Sequence, residues 1–467
     1  RDQRDDRPKA RPPPSLLSSM MMSSSSLSDE AFSPELLRLY YARLFPYEAM
    51  CQWLGYDPKG EGSTLQRREF CFTLENDVYC RYKSFSSAAE LKAGMVKDQP
   101  RKIDIGAIFN VSPREHLSSS SFAPQQRELV FDVDLSDYDD VRTCCSGATV
   151  CRRCWSAFIG SAVKVVDRTL REDFGFTKLL WVYSGRRGVH CWVADDIAKN
   201  LTDQARSNVI QYLSLARSEK GAELSWPIHP SLDRAFAALE PIFQDFIIPA
   251  APGQGHLAAD PEKWDALLAT FPSEQAKLVC DHWKENDVQP RHKWLGVKRW
   301  IDDQKNINNK KKANALATTS KNKGSSSKKQ KVVAGDSSSS NLDVWKYDTV
   351  FKYAYPRLDE NVSKMRNHLL KAPFAVHPKT GRVCIPFDPA KVDDFDPLAV
   401  PTLGQLAAQI DADPDKSKPD LDKTALKEHV AFFQDTFLKP ILDSALRAER
   451  RAARTEREKL AAISADF

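Results

Sequence analysis

The stretch Glu128–Trp155, ELVFDVDLSDYDDVRTCCSGATVCRRCW, decides how this chain is read. In its opening run the strand period of two sends Phe131, Val133 and Leu135 to one face and Asp132 and Asp134 to the other, the carboxylates about 6–7 Å apart. Like charges so placed raise each other's pKa unless a cation lies between them. Mg²⁺ or Mn²⁺ relieves that repulsion. A pair of such ions about 3.5–4 Å apart activates an attacking oxygen and stabilises a leaving one in phosphoryl or nucleotidyl transfer. Asp-x-Asp is shared by nucleotide-sugar transferases and by phosphatases that use the first Asp as nucleophile. Asp137, Asp139 and Asp140 follow the strand and read as turn residues.

The cysteines that come next are more specific. Cys144, Cys145, Cys151 and Cys154 supply four thiolates within eleven positions, enough to close a tetrahedral zinc site. Ser146 and Gly147 permit the irregular backbone that adjacent ligands need. A closed shell has no open position, so this zinc is expected to be structural, pinning the loop behind the aspartate strand. A redox Cys-x-x-Cys fits poorly, because no thioredoxin-like strand-to-helix context precedes it. Cys51, Cys71, Cys80, Cys191, Cys280 and Cys384 stand singly among apolar residues and read as small buried hydrophobes.

Outward from this stretch, 467 residues imply one large or two to three smaller folded units. No apolar run of eighteen residues and no cleavable leader is found, so the chain reads as soluble and non-secreted, with no membrane partner. The missing initiator Met points to a fragment. Net charge is +5, but nine lysines lie between Lys305 and Lys331, and setting them aside leaves −4. The folded part is therefore not a globally basic nucleic-acid binder, and phosphate contacts must come from local patches or bound metal. Residues 1–30 read as a disordered tail and 304–344 as a Lys/Ser-rich insert, whose composition favours a solvated linker over a nuclear import signal. Residues 201–303, with tryptophans at 226, 264, 283, 294 and 300, read as a helical subdomain, and 421–467 as a C-terminal helix.

PELLRLYYARLFPYEAMCQWLG, Pro34–Gly55, has the spacing of an amphipathic helix ending at Gly55. REFCFTLENDVYCRYKSF predicts two strands around the turn Glu75–Asp77. If Leu74 pairs with Val78, Glu69 and Arg81 are diagonal neighbours on a polar face, by spacing an exposed ion pair worth little. LLWVYSGRRGVHCWVAD flanks Ser184-Gly-Arg-Arg-Gly188 with apolar runs, and His190 alternates outward. Glycines admit a close ligand and two guanidiniums can grip phosphate oxygens, although a hairpin turn with surface arginines has the same pattern. Arg357, Asp359, His368, Lys371, His377 and Arg382 gather in YPRLDENVSKMRNHLLKAPFAVHPKTGR.

With LFPY, REF.FTL, KIDIGA, ELVFDVD..DYDDVR.CC, C..CW, EDFGF, WVYSGRRGVHCWV, YPRLD.NVS, NHLLK.PF.VHPKTGR and FDP..VPT in order, residues 33–400 closely resemble the small, catalytic subunit of eukaryotic DNA primase, within the archaeo-eukaryotic primase superfamily. Lys364-Met-Arg-Asn367 departs from the family's KGIN, and the insert is unusually long. The resemblance implies an α/β (α+β) primase fold: a mixed, mainly antiparallel sheet flanked by helices, formed by residues 31–200 and 345–420, with the zinc motif 144–154 embedded and the helical subdomain apart. It implies that Asp132, Asp134 and Asp359 hold two Mg²⁺ or Mn²⁺ ions and that Glu69 and Arg81 belong to the active site. Ser184, Arg186, Arg187 and His190 would form a nucleotide-phosphate cradle, with His368, Lys371 and His377 as its other wall and Arg357 beside them. The implied activity is DNA-templated synthesis of short RNA primers from ribonucleoside triphosphates on single-stranded DNA. Implied partners are the primase large subunit and the catalytic and accessory subunits of DNA polymerase alpha, in the nucleus. Two other classes fit fragments of the sequence: a phosphatase with Asp132 as nucleophile, and a non-catalytic zinc scaffold.

Overall fold

The computed structural model describes residues 32–215, 224–248, 260–271 and 337–465, with shorter stretches between 217 and 310. The expected tail, the centre of the expected insert and Cys280 lie outside the described residues. Two antiparallel sheets form the centre. In the first, β1 (Arg68–Thr73) lies between β2 (Tyr79–Lys83) and β3 (Lys102–Phe109), with β4 (Pro124–Gln126) and the late strand β10 (Leu370–Lys371) also on β3. In the second, β5 (Leu129–Asp134) and β6 (Leu179–Tyr183) flank β7 (Gly188–Val193), and β11 (Pro386–Phe387) adds to β6. A two-residue pair, β8 (Arg217–Ser218) and β9 (Gly221–Ala222), stands apart. Every strand pairing among the described residues is antiparallel, so the expected mixed sheet resolves into two antiparallel ones joined by the segment Leu370–Phe387.

The hairpin turn falls where its residues predict, with the Leu74 amide on the Val78 carbonyl at 2.8 Å. Two expectations for it fail. The register slips at Tyr82, which has a positive φ of 59°, so Phe70 faces Lys83. The face expected to be polar and exposed is closed over: β1 is buried along its whole length and the Glu69 side chain is 0% exposed. The first helical segment is also broken. α1 (Pro34–Arg43) and α2 (Tyr47–Gly55) are separate, because Pro46 has no N–H to continue the ladder and biases Phe45 away from helical angles.

β5 and β7 are registered from Leu129↔Val193 to Asp134↔Gly188, which puts Asp132 opposite His190. In the same core, α3 (Ser161–Glu172) buries Val163, Val166 and Leu170 and accepts the Trp181 indole N–H of β6 on Asp167 at 2.9 Å, while α2 reaches β7 where Trp53 meets Trp192 edge-on at 5.4 Å. Trp53 also meets Phe433 and Phe437 of the C-terminal segment. That segment is helical over Leu426–Phe432 and Lys439–Ala465 with a wider π turn, Phe433–Leu438, between them. α4 (Asp203–Leu213) and α5 (Pro230–Ile242) begin the helical region, and Trp264, Trp283 and Trp294 are buried there while Trp226 is half exposed. α6 (Ser337–Ala354) starts inside the stretch expected to be insert and packs on α5 through Phe236, Tyr347 and Phe351. Cys51, Cys71, Cys191 and Cys384 are buried as expected; Cys80 is partly exposed. No helix among the described residues is long and apolar enough to cross a membrane.

One charged group locks the two sheets together. Arg68 of β1 grips Glu128, the residue before β5, with both ends of its fork at 2.8 and 2.9 Å, and both side chains are 0% exposed. Tyr56 adds its hydroxyl at 2.5 Å. Burial opposes the charge on Glu128, yet the Arg68 guanidinium outweighs it and holds the carboxyl at about 2. Breaking such a pair on one side strands a buried charge. Glu128→Gln should lower unfolding stability by about 3–5 kcal/mol, read as the urea midpoint; an unchanged midpoint would show that the pair does not join the sheets.

Candidate active site between the two sheets

The two sheets meet at a small cleft lined by Asp132, Asp134, Ser184, Arg186, Arg187, His190, Lys371 and His377. All eight are residues that the sequence singled out. Strand alternation brings Asp132 and Asp134 to the open side of β5, and His190 reaches the same side from β7, its Nε2 3.7 Å from the Asp132 carboxylate. The loop 184–187 is folded back on its own strands. The Ser184 amide donates to the Gly188 carbonyl at 2.9 Å, and the Gly188 amide to the Ser184 hydroxyl at 3.1 Å. Gly185, at φ 87°, lies against the opposite wall: a Cβ there would stand 2.5 Å from the His377 Cβ. Lys371 donates to the Ser184 carbonyl at 3.2 Å and Thr380 to the Gly185 carbonyl at 2.7 Å, so the two walls are bonded to each other.

Asp359 comes from far along the chain and still arrives beside β5. Its amide donates to the Asp132 carbonyl at 3.1 Å. It caps α7 (Glu360–Lys364), and its carboxylate accepts the Asn361 amide at 3.0 Å. Ser363 of that helix donates to the Val130 carbonyl at 2.5 Å, and Arg127 donates to the carbonyls of Val362 and Met365 at 3.2 and 3.1 Å. The helix is thus bonded along β5 at several points.

The electrostatics follow from this crowding. Burial first, then the charges of Asp134 and Asp359, push the Asp132 carboxyl up to about 7. Asp134 is held by Arg187, whose Nε lies 2.6 and 2.9 Å from its two oxygens, and by the Ser136 amide and hydroxyl. Burial, then Lys371, push both His190 and His377 down to about 3, so these imidazoles are neutral donors or acceptors near pH 7.

Glu69 and Arg81 do not line this cleft. Arg81 binds the buried Glu69 through both ends of its fork at 2.9 and 3.1 Å and reaches the Asn367 carbonyl at 3.5 Å. His368 follows Asn367, and its ring is pushed down by burial and by Arg127, with Asp359 opposing. Arg357 is the exception. It is paired with Asp140 at 2.5 Å and lines a second and wider cleft together with Asp359, Asp137 and Gln211, none of which lines the first. Two acids escaped the sequence reading. Asp137, expected in a turn, has its carboxyl raised by burial and by Asp134 and Asp359. Asp104 sits opposite Lys371 on β3 with its carboxyl raised by burial against that lysine's pull. Asp104 is a single acid in an apolar strand and Asp137 one of a run of turn acids, so neither has a local signal that marks it out.

The four cysteines form a separate group. Sulfur separations run from 3.3 Å for Cys145–Cys154 through 3.5 Å for Cys144–Cys151 to 3.8 Å for Cys144–Cys145. A tetrahedron with metal–sulfur bonds of about 2.3 Å has edges of about 3.8 Å, so the donor set fits zinc. Among the described residues this is the only group of three or more Cys, His, Asp or Glu ligand atoms within 4.8 Å of one another. Arg142 lies 3.9 Å from the sulfurs of Cys145 and Cys154 and bonds the loop carbonyls of Gly147 and Thr149. Trp155, just after the last cysteine, packs edge-on against Tyr183 at 5.5 Å and ties the loop to β6.

An aspartate raised as Asp132 is favours the folded protein while protonated. That contribution is complete below an ordinary aspartate pKa of about 4 and is lost as pH rises through about 7. Metal-free Asp132→Asn should therefore gain thermal stability relative to wild type between pH 5 and pH 8. A melting-temperature difference that stays constant over that range would contradict the assigned environment.

The DNA primase small subunit family model matches residues 131–389. The chain is 38% identical over 416 residues to the DNA primase small subunit of Drosophila melanogaster, covering 85% of this chain and 88% of the relative. Against the DNA primase small subunit of Schizosaccharomyces pombe it is 37% identical over 396 residues, 82% of this chain and 79% of the relative. Against that of Saccharomyces cerevisiae it is 35% identical over 433 residues, 90% and 94%. With the aspartate strand, the arginine loop and the facing wall all inside the matched region, the chain belongs to the DNA primase small subunit family.

Proposed function

We propose that the cleft between the sheets is where this primase small subunit, a primer-synthesising nucleotidyltransferase of DNA replication, joins ribonucleotides. The observation that carries the reading is Asp132, a carboxyl raised to about 7 by burial and by the charges of Asp134 and Asp359, in a cleft that also presents Arg186, Arg187, Lys371, His190 and His377. Asp132, Asp134 and Asp359 would hold two Mg²⁺ or Mn²⁺ ions, since divalent charge relieves the repulsion that the fold imposes on them. Bound there, such ions supply charge neutralisation and make the attacking 3′-hydroxyl more acidic.

The remaining steps rest on this chain's own residues. Arg186, which has no carboxylate partner among the described residues, and Lys371 supply positive charge for a triphosphate. Arg187 spans from Asp134 toward the same cleft and steadies that aspartate. Ser184, His190 and His377 supply neutral polar groups from both walls, so the phosphates are gripped without an excess of cations that would hold the pyrophosphate product. Glu69 fixes Arg81, and His368, next to the Asn367 carbonyl that Arg81 reaches, feels the charges of both Arg81 and Asp359 and stands where the growing end would approach. Positioning and charge neutralisation account for most of the rate in such a reaction. Cys144, Cys145, Cys151 and Cys154 would hold one structural zinc that secures the loop behind β5.

The words "small subunit" in the relatives' names support a large-subunit partner, and the charge of −4 outside the lysine-rich stretch supports a shared grip on the single-stranded DNA template. Assembly with the DNA polymerase alpha subunits in a nuclear primosome is the corresponding reading for location and further partners. A phosphatase leaves the arginine loop and its facing wall without a role, and a scaffold leaves the converging aspartates without one.

Asp132→Asn with Asp134→Asn should cut primer synthesis on single-stranded homopolymer template with Mn²⁺ and labelled ribonucleotides by roughly a thousandfold or more, about 4 kcal/mol of transition-state stabilisation. The far-ultraviolet circular dichroism should be retained. Near-normal dinucleotide formation by this variant would reject the assignment.

A further inference from the structure

The facing wall of the cleft hangs on one strained residue. Lys371 and His377 both line the cleft, and between them the chain passes from the first sheet to the second through Ala372-Pro373-Phe374-Ala375. The Ala375 amide closes this turn on the Ala372 carbonyl at 3.2 Å. Pro373 occupies the second position and Phe374, at φ 62°, the third. A proline followed by a residue of positive φ is the type II pattern, which ordinarily takes glycine or asparagine at that place. A phenylalanine there is unfavourable unless its surroundings dictate it.

The surroundings do dictate it. The Phe374 ring is fully buried and packs edge-on against Phe433 at 5.5 Å. Its amide donates to the Cys384 carbonyl at 2.7 Å. Its carbonyl accepts the hydroxyl of Tyr40, 2.8 Å away and itself 1% exposed, from α1 near the other end of the described chain. On either side, the Ala372 amide is tied to the Ile103 carbonyl at 2.8 Å and the His377 amide to the Arg382 carbonyl at 2.9 Å. The turn therefore sets the separation between Lys371 and His377, and the Tyr40 hydroxyl satisfies the one carbonyl that the left-handed residue turns into the core.

We infer that Tyr40 is a positioning residue for the triphosphate wall: by holding Phe374 in its left-handed conformation it keeps Lys371 and His377 in register with the Ser184–Arg187 loop. This rests on the proposed role of the cleft in holding a nucleotide. Tyr40 does not line the cleft and acts through the turn, so its loss acts on nucleotide binding more than on the chemical step.

The test uses the full chain with three variants, in which the Kd for a non-hydrolysable ribonucleoside triphosphate with Mn²⁺ is measured by calorimetry, and KM and kcat in primer synthesis. Tyr40→Phe should raise Kd and KM together by between about threefold and tenfold, the worth of one buried hydrogen bond, with kcat within about twofold. Tyr47→Phe is the comparator. It removes a hydroxyl of the same kind, buried nearby and bonded to the Tyr41 carbonyl at 2.8 Å, and it should lower the melting temperature without changing Kd or KM. Pro373→Ala, which loosens the turn without touching the hydroxyl, should raise KM in the same direction. Unchanged Kd in both Tyr40→Phe and Pro373→Ala, or an equal rise in Tyr47→Phe, would overturn the positioning role while leaving the cleft's function standing. Absence of nucleotide binding by the wild type would overturn both.

Discussion

The hydrogen bond from the Asp359 amide to the Asp132 carbonyl is the contact on which the rest of the site depends. It joins residues more than two hundred positions apart and places a third carboxylate beside the two that strand alternation provides. Backbone-to-backbone contact fixes the approach more tightly than a side-chain pair could, because neither partner has rotamers to lose. The bonds of Ser363 to Val130 and of Arg127 to Val362 and Met365 keep the short helix behind Asp359 aligned with β5. Three carboxylates are thereby held in a partly buried place where, even with Lys371 and Arg187 beside them, one stays protonated close to neutrality. The folded chain bears that cost in the metal-free state, which is the physical reason to read the cluster as a cation site.

The second organising feature is that the cleft is built from both sheets. Its floor comes from β5 and β7, one wall from the loop after β6, and the other from the segment that leaves β10 and returns at β11. Anything that shifts one sheet against the other would open the cleft, so the buried Arg68–Glu128 pair and the aromatic cluster of Trp53, Trp192, Phe433 and Phe437 serve the site although none of them lines it. The cysteine loop has the same standing: it braces the turn that follows β5 and has no open position for chemistry.

Much of this was legible in the residues. The alternation of LVFDVDL gave the strand and the side on which both aspartates stand, and the cysteine spacing gave the sulfur cluster. Local pattern could not give partners that are distant in the chain. Nothing near Asp359 says that it will lie against Asp132, and only the resemblance to a known family supplied that pairing. Glu69 shows the opposite limit. Its alternation predicted a polar, open face, but the Glu69 side chain is wholly covered, so an ion pair of little expected worth became a half-buried one. The slip at Tyr82 and the break at Pro46 each moved a boundary: the first has no sequence signal, and the second was marked by a proline inside a helical pattern. Arg357 followed its neighbours in sequence but not in space, since it lines the adjoining cleft with Asp137 and Asp359 instead of the wall that carries Lys371 and His377.

The central claim is that Asp359 shares its cations with Asp132 and Asp134. Electron paramagnetic resonance titration of Mn²⁺ into wild type and Asp359→Asn, each with a non-hydrolysable ribonucleoside triphosphate, tests it most directly. The account predicts that the substitution weakens Mn²⁺ binding by at least the tenfold to hundredfold, roughly, that loss of an outer-sphere partner brings. Wild-type affinity and stoichiometry in Asp359→Asn would contradict it.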